Sequence, residues 1–239
     1  LTVTTPMPFW EHSVLEGMRR MIEGAEDYIF IEDQYFRAPL LNDIIERRMR
    51  EVRDLKLIVV TKPVGYWDPG RRWTAETHKR FYSRFPARYA LYQLRAHDLR
   101  PDGDELVARF ADIDVHSKLM IVDDAVMNVG SANKNNRGLI YEGEANLLIR
   151  DPEWVRIQRI KIFERLVGPT YAANVQDIDD AWAIFQALAE INQTTWEDWD
   201  DHGFDVDLED YRPDMAPEGL LFPLDVPYGW WFDVGPDFA

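Results

Sequence analysis

Cysteine is absent from the 239 residues, so the chain can form no disulfide and holds no thiolate for catalysis or metal binding. No apolar run approaches the ~20 residues that a membrane-spanning helix needs. An initiator methionine and a signal-peptide pattern are also missing, since the chain begins Leu1-Thr2-Val3. From this start we expect a piece of a longer or processed chain. With 46% hydrophobic and 29% charged residues, the composition is typical of a globular protein.

Basic residues are scarce near the C-terminus. From residue 196 onward, 13 Asp or Glu accompany a single basic residue, Arg212, so this segment carries −12 of the chain's net charge of −16. Nucleic-acid-binding proteins usually have a basic surface, because neutralising phosphates supplies their affinity. The charge therefore argues against nucleic acid as a partner. One local basic cluster either faces an anionic head group or forms a solvated helix face; it comprises Lys56, Lys62, Arg71, Arg72, Lys79, Arg80 and Arg84.

The segment from His116 to Asn133 carries the chemistry. It contains His116-Ser117-Lys118, then Asp123 after four residues, then Gly130-Ser131-Ala132-Asn133 after six more. On a strand, residues two apart project from one face, which predicts an imidazole beside an ammonium group. The imidazole can attack or protonate, and the cation can hold a phosphate oxygen. Glycine permits close backbone approach, and Ser and Asn add neutral donors. The pattern predicts phosphoryl transfer through a phosphohistidine without metal or cofactor.

This spacing, H-x-K-x4-D-x6-G-S-x-N, is the signature of the phospholipase D superfamily, which the chain resembles over roughly residues 10 to 170. A second segment, Ile31-Glu32-Asp33-Gln34-Tyr35-Phe36, resembles the I-E-N-Q-Y-F segment upstream of the second motif in two-motif phospholipases D. The resemblance implies an α/β/α sandwich with a mixed sheet. It also implies hydrolysis of glycerophospholipid head groups at a membrane surface, with transphosphatidylation to added alcohols. A secreted or effector-type bacterial lipase fits this expectation.

The chain contains only one copy of the motif. Phosphodiester hydrolysis needs a nucleophile and an acid for the leaving alkoxide, and one histidine cannot do both jobs at once. The other histidines lack a lysine two residues later; they are His12, His78, His97 and His202. The family solves this with two motifs that meet across a pseudo-twofold axis. The resemblance therefore implies a partner, which is either an identical chain or a half that carries the other motif.

The non-Met start and the segment at 31–36 favour the second arrangement, the C-terminal half of a two-motif phospholipase D. Because the N-terminal histidine is generally the nucleophile in two-motif members, His116 would then act as the general acid. In a homodimer the roles would be shared. Two alternatives stay open: a single-motif homodimeric nuclease-like phosphodiesterase, and a non-catalytic half that regulates a partner.

The resemblance assigns roles to the motif residues. Lys118 and Asn133 are expected to bind phosphate oxygens, with Ser131 in the same shell, whereas Asp123 supports the motif's geometry.

Acidic and polar residues outside the motif give further candidates. Glu144, 28 residues after His116, is our candidate for the carboxylate that hydrogen-bonds the imidazole and sets its tautomer. Glu142 is the rival for that role, and Gln34 and Tyr35 are candidates for the substrate shell.

The pattern of elements predicts an α/β fold. A capping box, Ser13-Val14-Leu15-Glu16, begins the first helix, and Pro39 begins the second. Asp123-Asp124 predicts a tight hairpin. Strands are expected at 28–31, 55–60, 106–110, 115–122, 125–129 and 145–149, and further helices at 74–96 (broken near Pro86), 152–167 and 180–191.

We expect two segments: a catalytic half over 1–172, and a C-terminal helix with an irregular acidic, aromatic-rich extension over 173–239. The extension's aromatics either pack onto the core or form a patch that enters a lipid surface; they are Trp196, Trp199, Phe222, Trp230, Trp231 and Phe232. Packing is favoured, because a charge of −12 would be repelled by anionic lipid.

The extension also contains a partial calcium-loop pattern. Positions 1, 3, 5, 6 and 12 of such a loop fall on Asp198, Asp200, His202, Gly203 and Glu209. Because histidine is wrong at position 5 and no clean helix signal flanks the segment, an acidic solvated loop is the favoured interpretation.

Overall fold

The computed structural model describes residues 1–6, 9–65 and 68–224. Five α-helices are assigned there, at α1 Ser13–Glu23, α2 Pro39–Glu51, α3 Arg71–Arg84, α4 Pro152–Val167 and α5 Ile178–Asp201. The strands are β1 Thr2–Thr4, β2 Tyr28–Asp33, β3 Lys56–Thr61, β4 Tyr89–Asp102, β5 Glu105–Asp112, β6 Lys118–Val122, β7 Val126–Gly130, β8 Glu144–Ile149, β9 Asp205–Asp207 and β10 Leu221–Pro223. None of the described helices is long and apolar enough to cross a bilayer.

The described residues form two compact units that alternate along the chain. The first unit contains residues 1–91 and 114–159, and the second contains residues 92–113 and 160–224. This division differs in kind from the expected segments 1–172 and 173–239, which stay a prediction.

The first unit is built on a mixed sheet with the order β1-β8-β7-β6-β2-β3. Strands β2 and β3 are parallel, and the other neighbours are antiparallel. Every residue of β6 is buried, and so is nearly every residue of β2 and β3, as expected for strands that are covered on both faces. The predicted α/β/α sandwich with a mixed sheet is confirmed, while residues 225–239 of the expected extension lie outside the described residues.

The start of α1 differs from the expected capping box. The hydroxyl of Ser13 accepts a hydrogen bond from the backbone N–H of Val3 (2.9 Å) and donates to its carbonyl oxygen (3.1 Å). Glu16 pairs instead with Arg19 and Arg20. The helix exists as predicted, but Ser13 attaches it to β1 rather than capping it.

The second unit contains an antiparallel sheet in which β4 pairs with β10 and β5, and β5 pairs with β9. Trp199 is buried with Leu106 and Ala108, and Phe222 is fully buried. Trp199 and Phe222 thus pack within this unit, while the packing of the extension onto the core stays a prediction. Trp230, Trp231 and Phe232 lie outside the described residues.

Two predicted elements were wrong in extent. The helix expected over 74–96 ends at Arg84, before Pro86, and residues from Tyr89 onward form β4. The helix expected over 180–191 runs from Ile178 to Asp201. Its buried stripe continues through Asn192, Thr195 and Trp199, so residues 194–201 of the segment expected to be irregular are helical.

Candidate active site

The candidate residues converge at one edge of the first unit's sheet. Strand β2 ends there at Asp33, directly opposite Lys118, the first residue of β6. Strand β7 ends at the same edge with Gly130, and the antiparallel β8 begins there at Glu144. Antiparallel pairing therefore brings together segments that are 85 to 111 residues apart in the sequence (Asp33 to Lys118, and Asp33 to Glu144).

His116 does not lie on a strand. The predicted strand 115–122 was wrong at its start, because β6 begins at Lys118. His116 is exposed in the preceding segment, whereas Lys118 is buried. The ammonium group of Lys118 donates a hydrogen bond to the carbonyl oxygen of His116 (2.7 Å), so backbone contact rather than strand alternation joins the two residues.

The environment of Lys118 acts on its charge in two directions. Burial lowers the pKa of Lys118, and the neighbouring ammonium of Lys134 acts in the same direction. The carboxylates of Asp33, Glu144 and Asp114 oppose this shift. Because a lysine has three N–H donors and one is used on His116, two remain for anionic oxygens.

The turn after β7 depends on two glycines. A Cβ at Gly130 would lie 2.3 Å from the carbonyl oxygen of Ala145, and one at Gly138 would lie 2.5 Å from that of Asn133. Glycine thus lets the turn lie against β8 and lets the π-helix Arg137–Tyr141 lie against Asn133. The Asn146 amide accepts a hydrogen bond from the Ala132 N–H (3.1 Å) and fixes the centre of the turn.

Asn133 has an unused polar atom. Its Oδ1 is buried and has no hydrogen-bond partner among the described residues. Buried amide groups normally have partners, so an orphaned one next to Lys118's strand indicates a place for a polar ligand. A rotation of the amide would present its N–H donors instead.

The acidic candidates contact residues other than the imidazole. Glu144 accepts a hydrogen bond from the Ser131 hydroxyl, which in turn accepts one from the Ala145 N–H (3.1 Å). The rival, Glu142, pairs with Arg137. The structure therefore brings Glu144 to the site edge beside Ser131, and its contact with His116 stays a prediction.

Asp123 lies in the hairpin between β6 and β7, and its role in supporting the motif's geometry stays a prediction. Its carboxylate accepts hydrogen bonds from the backbone N–H groups of Glu26, Asp27 and Tyr28, at 2.7, 3.0 and 2.8 Å. Both Asp123 and Asp124 have φ of +52°, as a two-residue hairpin of type I′ requires, so the predicted hairpin is present. This places Asp123 at the opposite end of β6 from Lys118.

Gln34 and Tyr35 follow β2 at the site edge. The Gln34 carbonyl accepts a hydrogen bond from the Thr61 hydroxyl (3.0 Å). The Tyr35 ring lies 3.9 Å from the Arg37 guanidinium carbon and 4.9 Å from the Lys62 ammonium nitrogen, so two cations already contact its face. Both residues are near the correct edge, and their contact with substrate stays a prediction.

A buried ion pair at this edge was not predicted. Asp33 and Lys134 are both fully buried, with 2.8 Å between Oδ2 and Nζ. The other carboxylate oxygen accepts the N–H groups of Tyr35 (2.9 Å) and Lys134 (3.2 Å). Burial raises the pKa of Asp33, and Lys134 opposes this shift. The signal was present in the sequence, since Asp33 stands where the resembling segment has Asn and Lys134 directly follows Asn133.

Acidic side chains form ion pairs with members of the basic cluster named from the sequence. The buried carboxylate of Glu46 contacts both Arg80 and Arg84. Lys62 contacts Asp68 (3.4 Å). Three members of the cluster, Lys62, Arg80 and Arg84, therefore stand in ion pairs with acids.

The calcium-loop pattern does not form a loop, because Asp198 and Asp200 lie within α5 and His202 follows its last turn. Across residues 1–6, 9–65 and 68–224, no group of three or more His, Asp or Glu side chains is arranged to hold a metal ion.

Residues 18–167 match the family model described as "Cardiolipin synthase, PLD-like domain". The chain belongs to the phospholipase D-like family. Members of this family are phosphodiesterases as a class, and the match spans the helices and strands that form the site edge.

Phospholipase D-like relatives are found in several organisms. Phospholipase D zeta 1 of Arabidopsis thaliana is 31% identical over 183 residues, which are 61% of this chain and 17% of that protein. Phospholipase D A of Dictyostelium discoideum is 30% identical over 171 residues, 59% of this chain and 13% of that protein. The chain thus spans less than a fifth of the length of these curated relatives. Among solved structures, Nuc from Salmonella typhimurium, a phospholipase D family member, aligns with a TM-score of 0.44 at 16% identity, covering 66% of this chain and 88% of that one.

Proposed function

We propose that this chain supplies one half of a phospholipase D-type active site that hydrolyses glycerophospholipid head groups through a phosphohistidine. The observation that supports it most is that the motif segments carrying His116, Lys118 and Asn133 lie at one sheet edge, where the imidazole is exposed. The names of the relatives, phospholipases D, support the lipid substrate.

The reaction needs two histidines. In the first step a histidine nitrogen bonds to phosphorus, the bond from phosphorus to the head-group oxygen breaks, and the second imidazolium protonates the departing alkoxide. In the second step that imidazole removes a proton from water, whose oxygen bonds to phosphorus as the nitrogen–phosphorus bond breaks. His116 would be the general acid if the partner carries the N-terminal motif.

Charge and donors are matched to the phosphodiester. Two N–H donors of Lys118 have no partner among the described residues and can serve the nonbridging oxygens, and Asn133 can offer its amide. The Ser131 hydroxyl would donate to the phosphodiester only if it gives up its hydrogen bond to Glu144. No metal or other cofactor is required by this scheme.

The second histidine must come from outside the described motif. In the first unit His78 is partly buried and its imidazole ring packs against the rings of Tyr82 and Tyr89. Burial lowers the pKa of His78. We propose a partner half with its own His-x-Lys motif, with a second copy of this chain as the alternative.

The test begins with the native mass of the particle as isolated and the identity of each chain in it. Head-group release from phosphatidylcholine vesicles is then measured with and without ethanol, alongside cleavage of single-stranded DNA. We expect choline release, phosphatidylethanol when ethanol is present, and no DNA cleavage, because an alcohol that reaches the phosphohistidine competes with water.

The decisive variant is His116→Asn, with His202→Asn as the matched control. His202 is exposed in the second unit and contacts the Asp198 carbonyl. We expect loss of at least about 10⁴-fold in turnover for His116→Asn and none for the control. Turnover that survives in His116→Asn would overturn the proposal. DNA cleavage by a particle of two identical chains would favour the nuclease-like alternative.

A further inference from the structure

The ion pair between Asp33 and Lys134 connects the two elements that would hold the phosphate. Lys134 directly follows Asn133, and its backbone is held on both sides, because its N–H donates to Asp33 and its carbonyl accepts from the Arg37 N–H (3.1 Å). Asp33 also lies directly opposite Lys118 in the β2–β6 ladder, so their side chains share one face.

One carboxylate therefore pairs with one buried lysine and lies opposite a second in the ladder. Asp33 and Lys134 are fully buried, and Lys118 is only 6% exposed. Removing ions from water is costly, and a buried pair gives little net stability compared with apolar residues of the same shape. Stability alone therefore does not explain why the pair stands at this edge.

We propose that Asp33 is a positioning residue of the phosphate site: through Lys134 it fixes the turn that carries Asn133, and across the ladder it places a carboxylate opposite Lys118. The binding of phosphate at this site rests on the proposed function. The effect of Asp33 on Lys118 is a property of the protein without ligand.

The charges that face Lys118 give the experiment a sign for each variant. Asp33, Glu144 and Asp114 favour its ammonium form, whereas Lys134 disfavours it, and the effect of Asp33 exceeds that of Lys134. Lys134→Met therefore raises the pKa of Lys118 and Asp33→Asn lowers it. In the double variant Asp33→Asn/Lys134→Met, we expect the pKa of Lys118 to lie below that in the wild type but above that in Asp33→Asn.

The measurement is the NMR titration of the Lys118 side chain in the full chain without ligand, with thermal unfolding recorded in parallel. Each single variant leaves a buried group unpaired and should lower Tm by about 10 °C, while the double variant should recover most of that loss. Glu46→Gln is the matched control, because it removes another buried carboxylate with cationic partners. It should lower Tm and leave the Lys118 titration unchanged.

Inorganic phosphate is the second probe. In the double variant, stable but lacking Asp33, we expect phosphate binding to weaken about tenfold, with the loss of binding at alkaline pH beginning at lower pH than in the wild type. A double variant that matches the wild type in the Lys118 titration would overturn the inference and leave a purely structural pair. Wild-type protein that binds no phosphate but shows the expected order of Lys118 titrations would count against the proposed function and not against the role of Asp33.

Discussion

The two compact units contrast most in how they use charge. The first, residues 1–91 and 114–159, has 21 basic and 20 acidic side chains, whereas the second, residues 92–113 and 160–224, has 6 basic and 20 acidic. In the first unit the acids are placed against cations, as in Asp33 with Lys134 and Asp124 with Arg159 (2.7 Å). In the second, most carboxylates have solvent around them, and the interior is apolar and aromatic.

This contrast shows that the net charge of −16 does not describe the surroundings of the site. An anionic phosphodiester would meet a unit that is nearly neutral, with its acids largely paired. The acidic side chains that dominate the total belong to the second unit, where like charges oppose compaction and favour solubility. Three substitutions, from the largest expected effect to the smallest, test whether the contrast is functional.

The largest effect is expected when a cation of the first unit is removed. Lys118→Met should lower kcat/KM for vesicle phosphatidylcholine by about 10²–10³-fold, because one donor to the phosphate oxygens is lost. Lys161→Met, at an exposed position in the second unit, should leave it unchanged. Equal losses in the two variants would remove the functional distinction between the units.

A smaller effect is expected when a structural acid of the first unit is removed. Asp123→Ala loses three hydrogen bonds to backbone N–H groups and places alanine at a φ of +52°, which should cost about 2–4 kcal/mol in the free energy of unfolding by urea. Activity per folded molecule should be retained. Asp123→Asn keeps an acceptor oxygen and tolerates this φ, so it should cost less than half as much; an equal cost would assign the effect to the charge.

The smallest effect is expected for the acids of the second unit. Asp177 caps α5, accepting hydrogen bonds from the N–H groups of Asp179 (2.8 Å) and Asp180 (3.4 Å). Asp177→Ala should cost about 1 kcal/mol, seen as faster hydrogen exchange in the first turns of α5. Asp200→Ala, at the other end of the helix, removes a negative charge where the dipole disfavours one and should gain about 0.3 kcal/mol. A loss of stability in Asp200→Ala would mean that surface acids stabilise this unit too.

Local chemistry in the sequence was sufficient for several elements. Pro39 begins α2 because its fixed φ and missing N–H suit the first turn of a helix. Asp123-Asp124 makes the hairpin because aspartate tolerates left-handed backbone. The apolar run before Pro63 forms the buried β3. Each of these depends on neighbours within a few residues.

The elements that were predicted wrongly depend on distant partners. Residues Tyr89–Asp102 form a strand because β10, more than 100 residues later, pairs with its first half, and β5, joined by a two-residue turn, pairs with its second half. Ser13 bonds to β1 instead of capping its helix, because Val3 offers two backbone groups there. Trp199 extends α5 because the interior of the second unit buries it.

The sequence by itself determined the family and the positions of the motif residues His116, Lys118, Asp123 and Asn133, because these follow from residue type and spacing. Tertiary structure decided where they meet. Antiparallel pairing of β2, β6, β7 and β8 sets one edge of the sheet as the site, since strand register lies in hydrogen bonds between segments far apart in the chain. It also decided that Asp33 pairs with buried Lys134 and lies opposite buried Lys118, because burial and charge contact are properties of the folded chain.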